Sequence, residues 1–230
     1  LDGEAKAARV ALEPAGRVTG HVTQALGGPA AGVTVRLTQP RYLVATTPAD
    51  GSFAFDNVPV GAFTVEAETA RGDRGRATGQ LSTPGQAADA PITLNGLGTV
   101  VVSVVNGSGA PVDGADVTVA SRSSFGGTWK KKTAAGLARF EDVLAGDLDV
   151  TARDPASGAV SSATGRVEPG AEVEIPVTLK ATGTIRGRVV SAAEPDGVAG
   201  IEVSVGNRKQ VTGAGGAFSV ADLPLGTYTV

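Results

Sequence analysis

The stretch FDNVPVGAFTV at residues 55–65 returns as FEDVLAGDLDV at 140–150 and as VADLPLGTYTV at 220–230. One phrase said three times in a 230-residue chain means that the structural unit is a repeat, so the frame has to be found before any fold is assigned. Aligning Gly61, Gly146 and Gly226 also aligns Gly51, Gly136 and Gly216, ten residues earlier in each copy. Further back the repeats open at Gly16 (GRVTGHV), Gly98 (GTVVVSV) and Gly183 (GTIRGRV), giving periods of 82 and 85 residues. They close on a leucine separated by three residues from the next opening glycine, in DAPITLNGLG (89–98) and VEIPVTLKATG (173–183). The same ending in ARVALEPAG (8–16) makes residues 1–15 the last strand of a preceding repeat. The expected domains are therefore 16–97, 98–182 and an incomplete third at 183–230.

Inside a repeat the apolar residues alternate. In VEIPVTL, Val173, Ile175, Val177 and Leu179 share one face while Glu174, Pro176 and Thr178 share the other, the signature of a half-buried strand. The first repeat reads as seven short antiparallel strands at about 17–23, 33–38, 42–47, 52–56, 62–68, 76–81 and 90–95, separated by turn clusters such as LGGPAAG, PADG and DNVPVG. No stretch carries a helical period. The fold class is all-β: tandem seven-stranded immunoglobulin-like or prealbumin-like sandwiches set end to end. Only three residues separate one domain's last leucine from the next domain's first glycine, a connection short enough to predict a semi-rigid rod. Glycines 51, 136 and 216 are expected in tight hairpins at positive φ, with Phe53 and Phe55, Ala138 and Phe140, or Phe218 and Val220 pointing inward. Glycines 61, 146 and 226 are expected to open a strand that buries Phe63 and Val65, Leu148 and Val150, or Tyr228 and Val230.

Composition excludes several kinds of function. With 33 glycines and 13 prolines the chain is turn-rich, and with no cysteine it has neither disulfide, thiolate metal site nor cysteine nucleophile. With no methionine either, it is expected to be a piece or a processed form of something longer. No apolar run approaches the roughly 18 residues of a membrane span, so no such span is expected in this segment. A net charge of -3 gives no pull toward nucleic acid.

The order of GHV (20–22), PAAGVTV (29–35) and TPADGSFAFDNVPVGAFTV (47–65) resembles the carboxypeptidase regulatory-like domain. That family is a sandwich of the transthyretin-like class, found appended to peptidases and in tandem on exported bacterial proteins. Repeat three carries the same order in GRVV, GVAGIEVSV and GGAFSVADLPLGTYTV. Repeat two departs from it: Val102 replaces the first glycine, and AAGLARF replaces ADGSFAF. The resemblance implies a structural or binding module with no catalytic residues to carry over. The implied setting is secreted or on the bacterial cell surface, and the implied partners are neighbouring repeats of the same polypeptide.

Candidate site residues are few. The lone histidine, His21, sits between inward Gly20 and Val22 and is expected to face solvent, without the second and third groups that a triad or a metal centre needs. Asp50 before Gly51 reads as a turn, since Ala135 and Gly215 replace it in the other copies. The acidic set Glu141, Asp142, Asp147 and Asp149 reads as solvated strand-edge carboxylates, with weak cation binding as the sharper alternative. Neither a catalytic group, a metal site nor a cofactor is expected. Arg71-Gly72-Asp73 is the tripeptide that integrin-binding loops use and falls in a loop after the fifth strand, where a polar turn is the plainer reading. The strongest anomaly is SRSSFGGTWKKKT (121–133), which makes repeat two longest between matched glycines. It holds the only tryptophan, Trp129, with Phe125 and Lys130, Lys131 and Lys132. Aromatics beside cations can stack on a glycan and pair with its acids, whereas a long hairpin whose Trp covers the core and whose lysines guard an edge needs no ligand.

The functional expectation is a non-enzymatic spacer or assembly module of a fibre or adhesin stalk. A carbohydrate- or peptide-binding accessory region of a secreted peptidase or glycosidase is the alternative. The third repeat stops where the first continues through two more strands. Donation of residues 4–12 by a second copy would supply a seventh strand but not a sixth, because Gly3 aligns with Gly85 and Gly170. The intact polypeptide is therefore expected to exceed 22.7 kDa and to continue with further repeats on both sides.

Overall fold

A computed structural model describes residues 13–180 and 182–230. The expected closing strand at 1–15 lies outside the described residues up to residue 12, as does the donor segment 4–12. Two compact units emerge, one running to Gly98 and including Glu168–Ala171, the other made of Thr99–Val167 and Glu172–Val230.

The first unit contains β1 (Ala15–Thr23), β2 (Thr34–Gln39), β3 (Leu43–Thr46), β4 (Ser52–Pro59), β5 (Gly61–Glu68), β6 (Arg74–Leu81), β7 (Ala87–Asp89) and β8 (Ile92–Thr93). One sheet has the order β4-β1-β7 with β8 also on β1, and the other has the order β3-β2-β5-β6. Between them Val18, Val22, Val35, Leu37, Phe53, Phe55, Phe63 and Val65 form a single core. Each such side chain removed from water contributes about 1.5–3 kcal/mol. The second unit repeats the plan with β9 (Leu97–Val105), β10 (Asp116–Ser121), β11 (Thr128–Lys132), β12 (Leu137–Leu144), β13 (Gly146–Arg153), β14 (Val160–Val167) and β15 (Glu172–Thr178). Its sheets are β12-β9-β15 and β11-β10-β13-β14 around a core built on Val100, Val102, Val104, Phe140, Leu148 and Val150. It ends with β16 (Thr182–Arg188) against β19 (Ala217–Pro224), and β17 (Glu202–Val205) against β18 (Arg208–Val211), over a smaller core of Val203, Val205, Val220 and Leu223.

The thrice-repeated phrase is not the turn that DNVPVG suggests. β4 runs on to Pro59, and the register against β1 shifts between Gly16 and Val18, where Arg17 faces two residues instead of one. Asn57 is the bulged residue at φ 57, and Asp142 holds φ 54 in the second copy. Asn and Asp are the non-glycine types that tolerate this left-handed backbone, because their short side chains bond locally. Val60 alone then joins β4 to β5, which lie in different sheets, and its amide donates to the Pro14 carbonyl at 2.9 Å. The phrase is a bulge followed by a change of sheet.

Ahead of it, Gly51 stands at φ 75, Gly136 at φ 79 and Gly216 at φ 69. Their carbonyls accept from the first-strand amides of Val22, Val104 and Val189 at 2.8, 2.8 and 2.9 Å. A threonine just upstream completes the corner. Thr47, Thr133 and Thr212 are buried, and each hydroxyl accepts an amide (Val33, Ala115, Ile201) and donates to a carbonyl (Ala30, Val112, Val198) at 2.6–3.0 Å. Sequence reasoning passed over this threonine, although its place before the glycine in all three copies is the signal that would have found it.

Three expectations are corrected. Gly51, Gly136 and Gly216 have the positive φ but do not sit in hairpins, because the strands they join, β3 and β4, β11 and β12, and β18 and β19, lie in different sheets. The seventh strand is not one antiparallel strand at 90–95: it is β7 and β8, both parallel to β1 and broken at Ala90–Pro91. Proline has no amide to donate, and the Ala90 carbonyl at the break lies against Gly20, where an added Cβ would come within 2.4 Å of it. In the second unit β15 is unbroken and parallel to β9, and Pro176 is accommodated because β15 is an edge strand. The strand expected to bury Tyr228 and Val230 does not form: 227–230 are outside any ladder, Tyr228 packs only partly on the small core, and Val230 is exposed. In the first sandwich the matching β5 is held between β2 and β6, whereas β17 pairs only with β18 among the described residues.

The departure in repeat two has a packing explanation. Gly20 lies opposite Phe53 and Gly187 opposite Phe218, and the phenylalanine ring fills the space a side chain would need, with Cζ 2.7 and 2.4 Å from the virtual Cβ. The corresponding pair in the second sandwich is Val102 and Ala138, both buried. Small against large has become large against small, at similar total volume.

Candidate functional site

The hairpin that joins β10 to β11 places Trp129 opposite Val119, Lys130 opposite Thr118, Lys131 opposite Val117 and Lys132 opposite Asp116. Alternation then divides the cations, because Trp129 and Lys131 share one face of this edge strand while Lys130 and Lys132 share the other. Trp129 is half-buried against the core of the second sandwich, and its ring covers Gly127, where a Cβ would meet Cη2 at 2.6 Å. Lys131 Nζ donates to the Arg139 carbonyl at 2.6 Å and sits 5.7 Å from the centre of the Phe140 ring, while Lys132 Nζ pairs with Asp116 at 2.6 Å. Lys130 is exposed, and Phe125 is half-buried in the connecting loop. The hairpin therefore does not assemble an aromatic ringed by three cations. It places one ring on the core and two lysines on acceptors of their own domain.

The Arg71-Gly72-Asp73 tripeptide occupies the loop between β5 and β6. Asp73 is half-buried, and its Oδ1 accepts the amides of Arg74 and Gly96, both at 2.8 Å. The Asp73 amide donates to the Thr69 hydroxyl at 3.0 Å, and the Thr69 amide donates to the Asp73 carbonyl at 2.9 Å. Burial pushes the Asp73 carboxyl above the usual carboxylate range, against the pull of its amide partners. Through the Gly96 amide, the Asp73 carboxylate fastens the loop to the exit from β8. A cleft of about 440 Å3 beside it is lined by Leu26, Val33, Arg71, Asp73 and Leu94 among others. Asp73→Ala should lower the stability of the first sandwich by about 1–2 kcal/mol through its stranded amides, read from the urea midpoint, with Asp73→Asn falling between the two.

His21 is exposed, as its place in the alternation predicts. Asp50 caps its own turn, accepting the Ser52 amide at 2.9 Å, and that bond holds its carboxyl below the usual range. The acidic set of the second sandwich is engaged by cations of the protein itself: Glu141 with Arg139 at 3.5 Å, Asp147 with Arg166 at 3.1 Å, and Asp149 with Arg122 through a two-pronged pair. The Arg122 guanidinium draws the Asp149 carboxyl down. Asp142 is the bulged residue already described. Among the described residues no group of three histidine or acidic side chains is placed to hold a metal ion, and no helix is long and apolar enough to cross a membrane.

Three solved structures similar to the chain are pilins. The minor pilin GBS52 of Streptococcus agalactiae is 16% identical, with a TM-score of 0.49 over 71% of this chain and 95% of that one. A streptococcal ancillary pilin is 11% identical, with a TM-score of 0.40 over 92% of this chain and 88% of that one. BcpA, the major pilin subunit of Bacillus cereus, is 13% identical, with a TM-score of 0.27 over 93% of this chain and 86% of that one. No curated protein matches the chain. Residues 17–95 match the carboxypeptidase regulatory-like domain family. They span the first sandwich from the start of β1 to just past β8, so it is the sandwich with the bulge, the buried threonine and the Gly20–Phe53 pair that is similar to the carboxypeptidase regulatory-like domain.

Proposed function

We propose that this chain is a non-enzymatic structural module, a spacer or assembly segment of a bacterial extracellular or cell-surface protein, built as an array of regulatory-like sandwiches. One observation carries the reading: the copies repeat their packing and not their surface chemistry. The left-handed glycine, the buried threonine, the bulge and the alternating valines recur. His21 becomes Ser103 and Arg188, and the tripeptide Arg71-Gly72-Asp73 and Trp129 each occur once. An array whose task is extension needs only its cores, each repeat supplying its own stability and its interface to the next. The family's occurrence in exported proteins supports the location.

The competing reading, an accessory region that binds carbohydrate or peptide, rests on Trp129 and its lysines. A glycan array probed with the wild-type chain and with Trp129→Ala separates the two. The structural reading expects no signal that the substitution abolishes, while a glycan bound by the wild type alone would replace that reading with the accessory one. Because Trp129 also covers the core, the variant should lose about 1–2 kcal/mol, and its folding is to be checked by circular dichroism.

A further inference from the structure

The sequence contains two Asn-Gly pairs, Asn95-Gly96 and Asn106-Gly107, and the structure treats them in opposite ways. We propose that Asn106 is a site of spontaneous backbone-assisted modification, deamidation through a succinimide, and that Asn95 is protected from it by Asp73.

The chemistry needs the amide nitrogen of the following residue to lose its proton and attack the asparagine Cγ. A new C–N bond closes the five-membered ring and the charge passes to Oδ1; as the carbonyl re-forms, Nδ2 takes a proton from water, replacing the one the glycine amide gave to hydroxide, and leaves as ammonia. Water afterwards opens the ring at either carbonyl, giving aspartate or isoaspartate. Water is the only co-reactant. Glycine is the favourable follower because no side chain shields its nitrogen.

At Asn106 the requirements converge. Residues 106–110 are exposed, and the Gly107 amide has no hydrogen-bond partner among the described residues. Asn106 Oδ1, where the charge develops, accepts the Ser108 amide at 3.0 Å, the Ser108 hydroxyl at 2.7 Å and the Ala110 amide at 3.0 Å. Three donors on the oxygen that becomes an anion are the arrangement by which acyl-transfer sites stabilise their intermediates. The turn itself is held from outside the reacting atoms, with Gly109 donating to the Asn106 carbonyl and the Asn106 amide donating to the Ala110 carbonyl, both at 2.9 Å.

At Asn95 the same two residues are blocked. The Gly96 amide that would attack donates to Asp73 Oδ1 at 2.8 Å, and a carboxylate at that distance opposes loss of the proton. Gly96 is buried, Asn95 Nδ2 donates to the Gly96 carbonyl at 3.3 Å, and the Asn95 amide donates to the Arg74 carbonyl at 2.8 Å. The product at Asn106 adds a negative charge to a cleft of about 330 Å3 that Asp154 and Lys180 also line, and the isoaspartyl form adds a methylene to the connection between β9 and β10.

The test is incubation of the whole chain at mildly alkaline pH, with peptide mapping by tandem mass spectrometry to locate the residue whose amide has become an acid. Conversion at Asn106 should outrun that at Asn95 by about tenfold or more, the factor that breaking a charge-assisted bond imposes. In urea, with both turns unfolded, the two should convert alike. Ser108→Ala should slow Asn106 by about threefold, less than for a buried donor because water can take the hydroxyl's place. Equal conversion of the two asparagines in the folded chain, or none at Asn106, overturns the assignment, and an unchanged rate in Ser108→Ala overturns the part given to the hydroxyl.

Discussion

Val102→Gly should destabilise the second sandwich by about 3–4 kcal/mol, from the lost valine, the cavity beside Ala138 and the freer unfolded backbone. Ala138→Phe alone should cost about 2–3 kcal/mol, because a ring driven against Val102 overfills a closed core. The double variant should be more stable than the sum of the two by about 2 kcal/mol, since it recreates the Gly20–Phe53 and Gly187–Phe218 arrangement. Recovery should be incomplete, because β15 runs straight past Val102 where the first sandwich breaks at Ala90–Pro91. Trp129 is the only tryptophan and packs on this core, so its fluorescence against urea reports the second sandwich separately. Strictly additive costs would show that the two positions do not exchange volume.

Gly51→Ala should cost the first sandwich about 3 kcal/mol, and Gly32→Ala about 1 kcal/mol. Both glycines have positive φ, 75 for Gly51 and 70 for Gly32, so both substitutions meet the same backbone strain. They differ in room: a Cβ on Gly51 falls 2.5 Å from the Val22 carbonyl oxygen, while one on Gly32 meets nothing within 4 Å. The comparison isolates the close approach that lets the Gly51 carbonyl receive the Val22 amide. Thermal unfolding of the two variants beside the wild type measures it, and equal losses would mean that the approach contributes nothing.

Much of this architecture was legible in the sequence. The first six strands of the first sandwich stand within about three residues of their expected ends, because residues such as Phe63, Val65 and Ala67 alternate with polar neighbours and a period of two admits no other reading. What escaped was long-range. Nothing local says that β7 and β8 run parallel to β1, since direction is decided by which strands the chain has already placed. DNVPVG contains proline, glycine and two turn-forming residues and so reads as a loop, yet Asn57 takes its left-handed backbone inside a strand, where the partner absorbs one extra residue. Val102 and Ala138 were visible as two departures from the pattern and were one exchange. The candidate sites were legible as residue types only. Whether Asp73 faces outward depends on the Gly96 amide, 23 residues away in sequence.

The parallel pairing of first and last strands gives each sandwich a direction in which it resists force. When neighbouring strands run the same way and the chain enters by one and leaves by the other, pulling on the chain slides them past each other. Their hydrogen bonds then bear the load together instead of opening one after another. In the second sandwich seven residue pairs, from Glu172–Thr99 to Thr178–Val105, form one uninterrupted ladder of this kind. In the first, the load passes through three pairs on β7 and two on β8, parted by the break at Ala90–Pro91. If the two were pulled along these strands, the first sandwich should give way at the lower force, with its shorter, divided ladder opening before seven pairs have to part at once.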